Sequence, residues 1–162
     1  MNTIERTYRM RGTQVHLQEV VDLAAVRSAS TGRPRVLTAA AVGAIAPEAE
    51  SQVRAFESAG WEFVPRHQAA DGAKVYLKSG GRVALGTNRL TVRVAGECSD
   101  KEAAELLACH GFAVVDRLKF APNLFVVEVA SGRDAIEAAE RLAASGEVEF
   151  AEPELIEVIP RR

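Results

Sequence analysis

Histidine is the side chain most often used for proton transfer and metal binding near neutral pH, and this chain contains three. His16, His67 and His110 are dispersed along the sequence, and none stands at a ligand spacing from a cysteine. The GxSxG motif of serine hydrolases, the GxxxxGK[ST] phosphate loop and the HExxH zinc motif are all absent. The sequence therefore predicts no catalytic residue, no metal site and no cofactor, in a protein that is not an enzyme.

The two cysteines, Cys98 and Cys109, do not form a CxxC pair. Cys109 lies within a helical pattern, which predicts a small buried apolar side chain. A disulfide or a metal site is the alternative.

Charge is nearly balanced, with a formal net charge of -2, so no global basic field attracts nucleic acid. Five glutamates nevertheless lie between Glu147 and Glu157 with no basic residue among them. They form either a solvated surface or a specific acidic binding element. The amino-terminal residues MNTIERTYRMRG lack the apolar region of a signal peptide, and no apolar stretch approaches the about 20 residues that span a membrane. We expect a cytoplasmic protein that binds neither membranes nor nucleic acid.

Residues 87–154 are predicted to form a strand, a helix, two strands, a helix and a strand. Ser99 and Glu102 have the spacing of a capping box, and Gly111 ends the helix that they begin. That helix is predicted to place Ala103, Leu106, Leu107 and His110 on one face. The other predicted elements are the strands Arg89–Val94, Phe112–Phe120, Leu124–Val129 and Glu147–Ala151 and the helix Asp134–Ala144. This order is that of a ferredoxin-like α+β domain, an antiparallel sheet with two helices on one face.

Residues 1–86 are predicted to form a smaller, related α+β unit. Hairpins are expected around Arg11–Thr13 and around Ser79–Gly81, and a helix from Pro47 to Ala59. The second hairpin is predicted to pair the strands Lys74–Lys78 and Arg82–Leu85. Residues 51–65 and 102–116 both give a helix, a glycine, an aromatic residue and an apolar strand, which indicates a weak internal repeat.

A ferredoxin-like sheet also occurs in RNA-binding modules and in acylphosphatase-like enzymes. RNA recognition requires exposed aromatic residues on the central strands, but Leu124–Val129 offers only Phe125 and the first strand offers none. An acylphosphatase-like site requires an arginine in the loop after the first strand, and the loop Ala95–Asp100 is acidic without one. Both functions are excluded.

Several stretches carry a family resemblance. They are Leu90–Val94, Phe120–Val129, Asp134–Ala135 with Leu142, and Glu147–Pro153, whose Val-x-Phe-Ala-Glu-Pro is the most specific; Arg11–Arg27 matches loosely. Through them the chain resembles the prodomains of bacterial subtilisin-like serine proteases. The Asp-Thr-Gly, His-Gly-Thr and Gly-Thr-Ser signatures of the subtilase catalytic domain are absent. The resemblance implies a partner protease, bound in cis before processing or in trans.

The resemblance further implies an inhibitor and folding chaperone that docks by the sheet face opposite the helices. Glu152 and Glu154 would then cap the N-termini of two protease helices. Residues 155–162 would continue as an extended tail into the substrate cleft. The tail residues implied in binding are Leu155, Ile156, Val158, Ile159, Pro160, Arg161 and Arg162.

The register of the tail stays open. Arg162 could occupy the primary specificity pocket with Ile159 in the fourth subsite, but Pro160 has no N–H to donate to a protease strand. Residues 155–159 could instead be the bound segment. The alternative function is a protein-interaction or scaffold module that keeps the prodomain fold and does not inhibit.

Overall fold

The structure, a computed structural model, describes residues 2–28, 47–130 and 134–159. These residues form an α+β fold with eight strands, paired in an antiparallel sheet, and three α-helices. The strands are β1 (Thr3–Met10), β2 (Thr13–Arg27), β3 (Trp61–Pro65), β4 (Ala73–Lys78), β5 (Arg82–Val94), β6 (Phe112–Arg117), β7 (Leu124–Val129) and β8 (Val148–Glu157). The helices are α1 (Glu50–Ser58), α2 (Asp100–Cys109) and α3 (Ala135–Ala144), with 3-10 turns at Pro47–Ala49 and Arg66–Gln68. The predicted fold class is confirmed.

The chain divides into two compact units. The first comprises Met1–Arg6, His16–Gly86 and Leu155–Arg162, as far as these are described, and the second comprises Thr7–Val15 and Thr87–Glu154. Each unit has its own apolar cluster.

In the first unit, β2 lies between β3 and β4. Its residues Leu23–Arg27 pair antiparallel with Pro65–Trp61, while Gln18 and Ala24 are aligned with Leu77 and Lys74. The predicted helix is present as the 3-10 turn followed by α1, and its Val53 and Phe56 are fully buried. The cluster they join consists of Val20, Leu23, Ala25, Ala49, Val53, Phe56, Phe63, Val75, Leu77, Val83 and Leu85.

The hairpin between β4 and β5 turns at Gly80 and Gly81, as predicted. Both residues have positive φ angles, 76° and 71°, which glycine adopts without steric cost. A Cβ atom on Gly81 would lie 2.5 Å from the Cβ of Glu48, so this position also needs glycine for packing.

The second unit has the strand order β8-β5-β7-β6, which is the ferredoxin-like order. Helices α2 and α3 both contribute to one cluster with the strands, so they cover the same face of the sheet. The helix residues are Ala103, Leu107, Ala135, Ala138, Ala139 and Leu142, and the strand residues are Leu90, Val92, Val94, Phe112, Phe125, Val127, Val129, Val148 and Ala151. At the start of α2 the predicted capping box is present, with Ser99 and Glu102 each accepting the other's main-chain N–H.

Three predicted strand boundaries are wrong. We predicted separate strands on either side of Gly86, but β5 runs through it from Arg82 to Val94. A Cβ at Gly86 would lie 2.8 Å from Cε2 of the buried Tyr76, so glycine at this position leaves room for the tyrosine ring. Strand β6 ends at Arg117 instead of Phe120, since Leu118 and Ala121 form a hydrogen-bonded turn. Strand β8 continues to Glu157, six residues beyond the predicted end at Ala151.

The predicted internal repeat is limited to the order of the elements in the two segments. Helices α1 and α2 are each followed by a glycine with positive φ and a strand. Strand β3, however, pairs with β2, the strand before its helix, whereas β6 pairs with β7, the strand that follows it. The two segments thus share elements but not strand pairing.

Cys109 near the end of α2 is more exposed than predicted. The buried positions of α2 are Ala103 and Leu107. Cys109 lies two residues beyond Leu107, about 200° around the helix, and is exposed as a free thiol. His110 is the C-cap residue and is exposed as well, with its ring bound to the carboxylate of Glu147. Among the described helices, none has the length and apolarity of a membrane span.

Candidate protein-docking surface

The second unit presents one sheet face away from its helices. Along β5, Leu90, Val92 and Val94 belong to the core, so the alternating residues point to the other face. Strand β7 alternates in the same way. We call this surface the outer face and define it by Arg89, Thr91, Arg93, Val126 and Glu128.

The charges of the outer face are paired. Nε of Arg89 lies 3.2 Å from Oε1 of Glu128 on the neighbouring strand. Nε of Arg93 lies 3.2 Å from Oε2 of Glu149 on β8. Between these pairs, Thr91 faces Val126, and both are half-buried. The outer face is therefore a pleated surface with a weakly polar centre and neutralised charges at its sides.

Most of the acidic run is bound internally. Glu147 pairs with His110, and Glu149 with Arg93. Oε1 of Glu152 accepts a hydrogen bond from the main-chain N–H of Arg11 at 2.9 Å. The predicted solvated surface thus describes only part of this run.

Glu154 differs from these glutamates. Its main-chain carbonyl accepts a hydrogen bond from Oγ1 of Thr87 at 2.9 Å, while its half-buried carboxylate has no hydrogen bond or ion pair to the part of the chain that the structure describes. Of the two predicted capping residues, Glu152 has an internal partner and Glu154 has a carboxylate available to another molecule.

The C-terminal segment is attached to the first unit up to Val158. Residues 155–157 belong to β8, which pairs with β5, and Ile156 and Val158 pack half-buried against the first unit's cluster. Glu157 forms an ion pair with Lys78, whose side chain is 12% exposed. Ile159 is 91% exposed. Leu155 is half-buried, and Pro160, Arg161 and Arg162 lie outside the described residues.

The predicted tail is therefore extended, but its residues up to Val158 are held by strand pairing and by packing against the first unit. The last strand was predicted to end at Ala151, but β8 continues through Pro153 to Glu157, although proline cannot donate to a strand ladder. Among the described strands β8 pairs only with β5, and an edge strand tolerates proline. The entry of these residues into a protease cleft stays a prediction.

A comparison of the chain with protein-family models gives a match. The model of the fervidolysin N-terminal prodomain matches residues 72–154, just over half of the 162 residues. The chain belongs to this prodomain family. Comparisons with curated proteins and with solved structures found no match.

The match to the fervidolysin prodomain runs from the start of β4 to the residue where β8 leaves the second unit. It includes the outer face, Glu152 and Glu154. It stops before Leu155, so the C-terminal segment is a feature of this chain outside the shared prodomain region.

The prodomain also exposes apolar side chains whose exposure was not predicted from the sequence. Phe120, in the turn between β6 and β7, is 82% exposed, and Val114 and Val115 on β6 are 40% and 43% exposed. The nearby Pro122-Asn123 pair was a signal of this turn, since Asn123 adopts a positive φ of 56°.

No catalytic arrangement is apparent in the described portions of the prodomain. Within them, no group of three His, Cys, Asp or Glu side chains could hold a metal ion. A shallow cavity of about 480 Å³ lies beside Arg93, Cys98, Asn123 and Glu149. Arg93 and Glu149 are paired with each other there, so the cavity offers no free charged group from this pair.

Proposed function

We propose that this chain is an inhibitor and folding chaperone of a subtilisin-like serine protease, acting in cis before processing or in trans. The observation that carries the proposal is the family match, which spans the whole ferredoxin-like strand order and both helices of the second unit. The chain itself performs no catalytic step in this proposal.

The outer face is the surface that docks on the protease. Its arginines are already paired with Glu128 and Glu149, so burying this face leaves none of these charges without a partner. Burial of an isolated charge is costly, whereas burial of a paired and hydrogen-bonded charge is tolerated. Protease helices can therefore cover this face at a lower electrostatic cost than a face with unpaired charges.

Glu154 is the anionic group offered to the N-terminus of a protease helix. A carboxylate at that position is favoured by about 0.3–1 kcal/mol through the helix dipole and the free N–H groups. Glu152 would have to release the N–H of Arg11 to act in the same way. The two glutamates are therefore unequal candidates, and Glu154 is the stronger.

The segment from Leu155 onward occupies the substrate cleft in this proposal. An extended segment gains affinity from main-chain hydrogen bonds to the cleft's strands and selectivity from side-chain pockets. Ile159 is the most exposed apolar residue of the described tail. It is thus available to a pocket without any rearrangement.

A second candidate function is a protein-interaction module that binds through the outer face and does not inhibit. The packing of Ile156 and Val158 against the first unit favours it, because side chains engaged in a core do not enter a cleft. In this case the C-terminal segment has a structural role only.

Titration of a mature subtilisin-type protease, with fervidolysin as first choice, separates the two. We expect the full chain to inhibit peptide hydrolysis, and a chain ending at Glu154 to bind with an inhibition constant at least about tenfold weaker. Because the shortened chain lacks Ile156 and Val158, its fold is checked by circular dichroism. The variant Ile159→Asp serves as a second probe, since this side chain is 91% exposed and makes little contribution to folding.

Unchanged inhibition by both variants contradicts occupancy of the cleft by this segment. Complete absence of inhibition, with retained binding in a pull-down of the protease, supports the interaction module. The chaperone role is tested separately, by recovery of activity when the denatured protease domain refolds with or without this chain.

A further inference from the structure

The segment proposed to enter the protease cleft already has an intramolecular docking site. We infer that residues 155–158 form a latch on the first unit, and that this latch must open before the segment can occupy a protease cleft. The inference rests on the proposed function and adds regulation to it: the first unit sets how readily the chain inhibits.

The latch engages three consecutive side chains. Ile156 lies in β8 and Val158 directly follows the strand, and both side chains pack against the first unit's apolar cluster. Glu157 is bound to Lys78. A protease cleft would bind these same side chains in its pockets. The docked and cleft-bound states of the segment are therefore mutually exclusive.

The partners of the latch make its release costly but feasible. Lys78 is 12% exposed, whereas Glu157 is 37% exposed, so release leaves a nearly buried ammonium group without this carboxylate. Ile156 and Val158 are only half-buried, and their separation from the cluster exposes limited apolar area. The segment is held in place by contacts that a protease cleft could replace.

The first experiment tests the latch in the chain alone. Hydrogen exchange measures protection of the amides of residues 156–158 in the wild type and in Lys78→Glu, which places two like charges together. The control is Arg82→Glu, the same change of charge at the exposed residue aligned with Lys78 in the neighbouring strand. We expect protected amides in the wild type, faster exchange in Lys78→Glu and no change in Arg82→Glu.

The second experiment measures inhibition of the same mature protease. Loss of a partly buried ion pair predicts an inhibition constant about three- to tenfold lower for Lys78→Glu, because less of the binding free energy is spent on release. The double variant Lys78→Glu/Glu157→Lys restores the opposite charges and is expected to return both exchange and inhibition toward the wild type. If Lys78→Glu does not fold, Lys78→Gln is used, with a smaller change in the same direction.

The outcomes are distinct. Unprotected amides in the wild type overturn the latch, whatever the chain does to a protease. Faster exchange in the Lys78 variants without tighter inhibition overturns the regulatory role. Equal inhibition by the wild type and the chain ending at Glu154 overturns the proposed cleft occupancy instead, while the exchange data still decide whether the latch exists.

Discussion

The main-chain N–H of Arg11 donates a hydrogen bond to Oε1 of Glu152 at 2.9 Å, across 141 positions of the sequence. Arg11 has a positive φ of 50° and is followed by Gly12 with 78°. Two consecutive positive φ angles are typical of the type I′ turn of a two-residue hairpin loop. Glu152 thus accepts a donor of the turn that joins β1 to β2, within the second unit.

Glu152→Ala removes this acceptor and is expected to lower the free energy of unfolding by about 1 kcal/mol. Glu154→Ala is the matched control, with a change within about 0.5 kcal/mol, because its carboxylate has no partner in the described chain. Urea unfolding followed by circular dichroism measures both. Equal losses in the two variants would contradict the role assigned to the hydrogen bond.

Arg11→Asn is expected to stabilise the chain by about 0.5–1 kcal/mol. Arginine is strained in the left-handed region, whereas asparagine is tolerated there. The gain is measured as a higher urea midpoint at unchanged slope. A loss of stability would mean that the arginine side chain contributes more than its strained backbone costs.

Gly80→Ala and Gly81→Ala separate backbone strain from steric clash in one turn. Both glycines have positive φ, so each substitution is expected to cost about 1 kcal/mol. Gly81→Ala meets the Cβ of Glu48 at 2.5 Å as well, while Gly80 has nothing within 4 Å. We expect Gly81→Ala to cost about 1–3 kcal/mol more in thermal or urea unfolding. Similar values for the two would show that the Glu48 segment moves aside freely.

Phe120→Ala and Phe125→Ala compare the truncation of an exposed aromatic ring with that of a buried one. Phe125 is 2% exposed and part of the second unit's core, so its truncation is expected to cost about 3–5 kcal/mol. Phe120 is 82% exposed, and its loss is expected to change stability by less than about 0.5 kcal/mol. Substantial destabilisation by Phe120→Ala would reveal a packing role for this ring.

Glu154→Gln tests the proposed helix cap without changing side-chain size. Removing the charge is expected to weaken binding to the mature protease about two- to fivefold, with stability unchanged. The loss should diminish at high salt, since the interaction is electrostatic. Binding is measured by titration calorimetry, with Glu137→Gln on the outward side of α3 as control. Equal affinities for wild type and Glu154→Gln would remove Glu154 from the docking surface.

The parts of the fold that depend on neighbouring residues could be predicted from the sequence. The capping box of Ser99 and Glu102, the Gly80-Gly81 turn and the strand Leu124–Val129 all depend on spacing within a few positions. The order of the second unit's elements followed from them. Its ferredoxin-like pairing was therefore predictable before any coordinates.

The remaining features depend on contacts that are distant in sequence. Local patterns predicted two separate strands, Arg82–Leu85 and Arg89–Val94, whereas β5 is continuous and the ring of Tyr76 packs against Gly86 within it. The internal partners of the acidic run from Glu147 to Glu157, such as Arg11 and His110, could not be predicted because they are far away in the sequence. The packing of Ile156 and Val158 against the first unit could likewise not be predicted from a local sequence pattern.

Strand β6 has a consequence for the behaviour of this chain in concentrated solution. Within the described residues it pairs with β7 alone, and it exposes Val114 and Val115 at an outer strand. An uncovered apolar edge strand can pair with a strand of a second molecule, and such pairing begins aggregation. Here the register shifts between Val114 and Asp116, and the exposed charges of Asp116 and Arg117 follow. Such an irregular, charged border discourages the addition of a second molecule's strand at this edge.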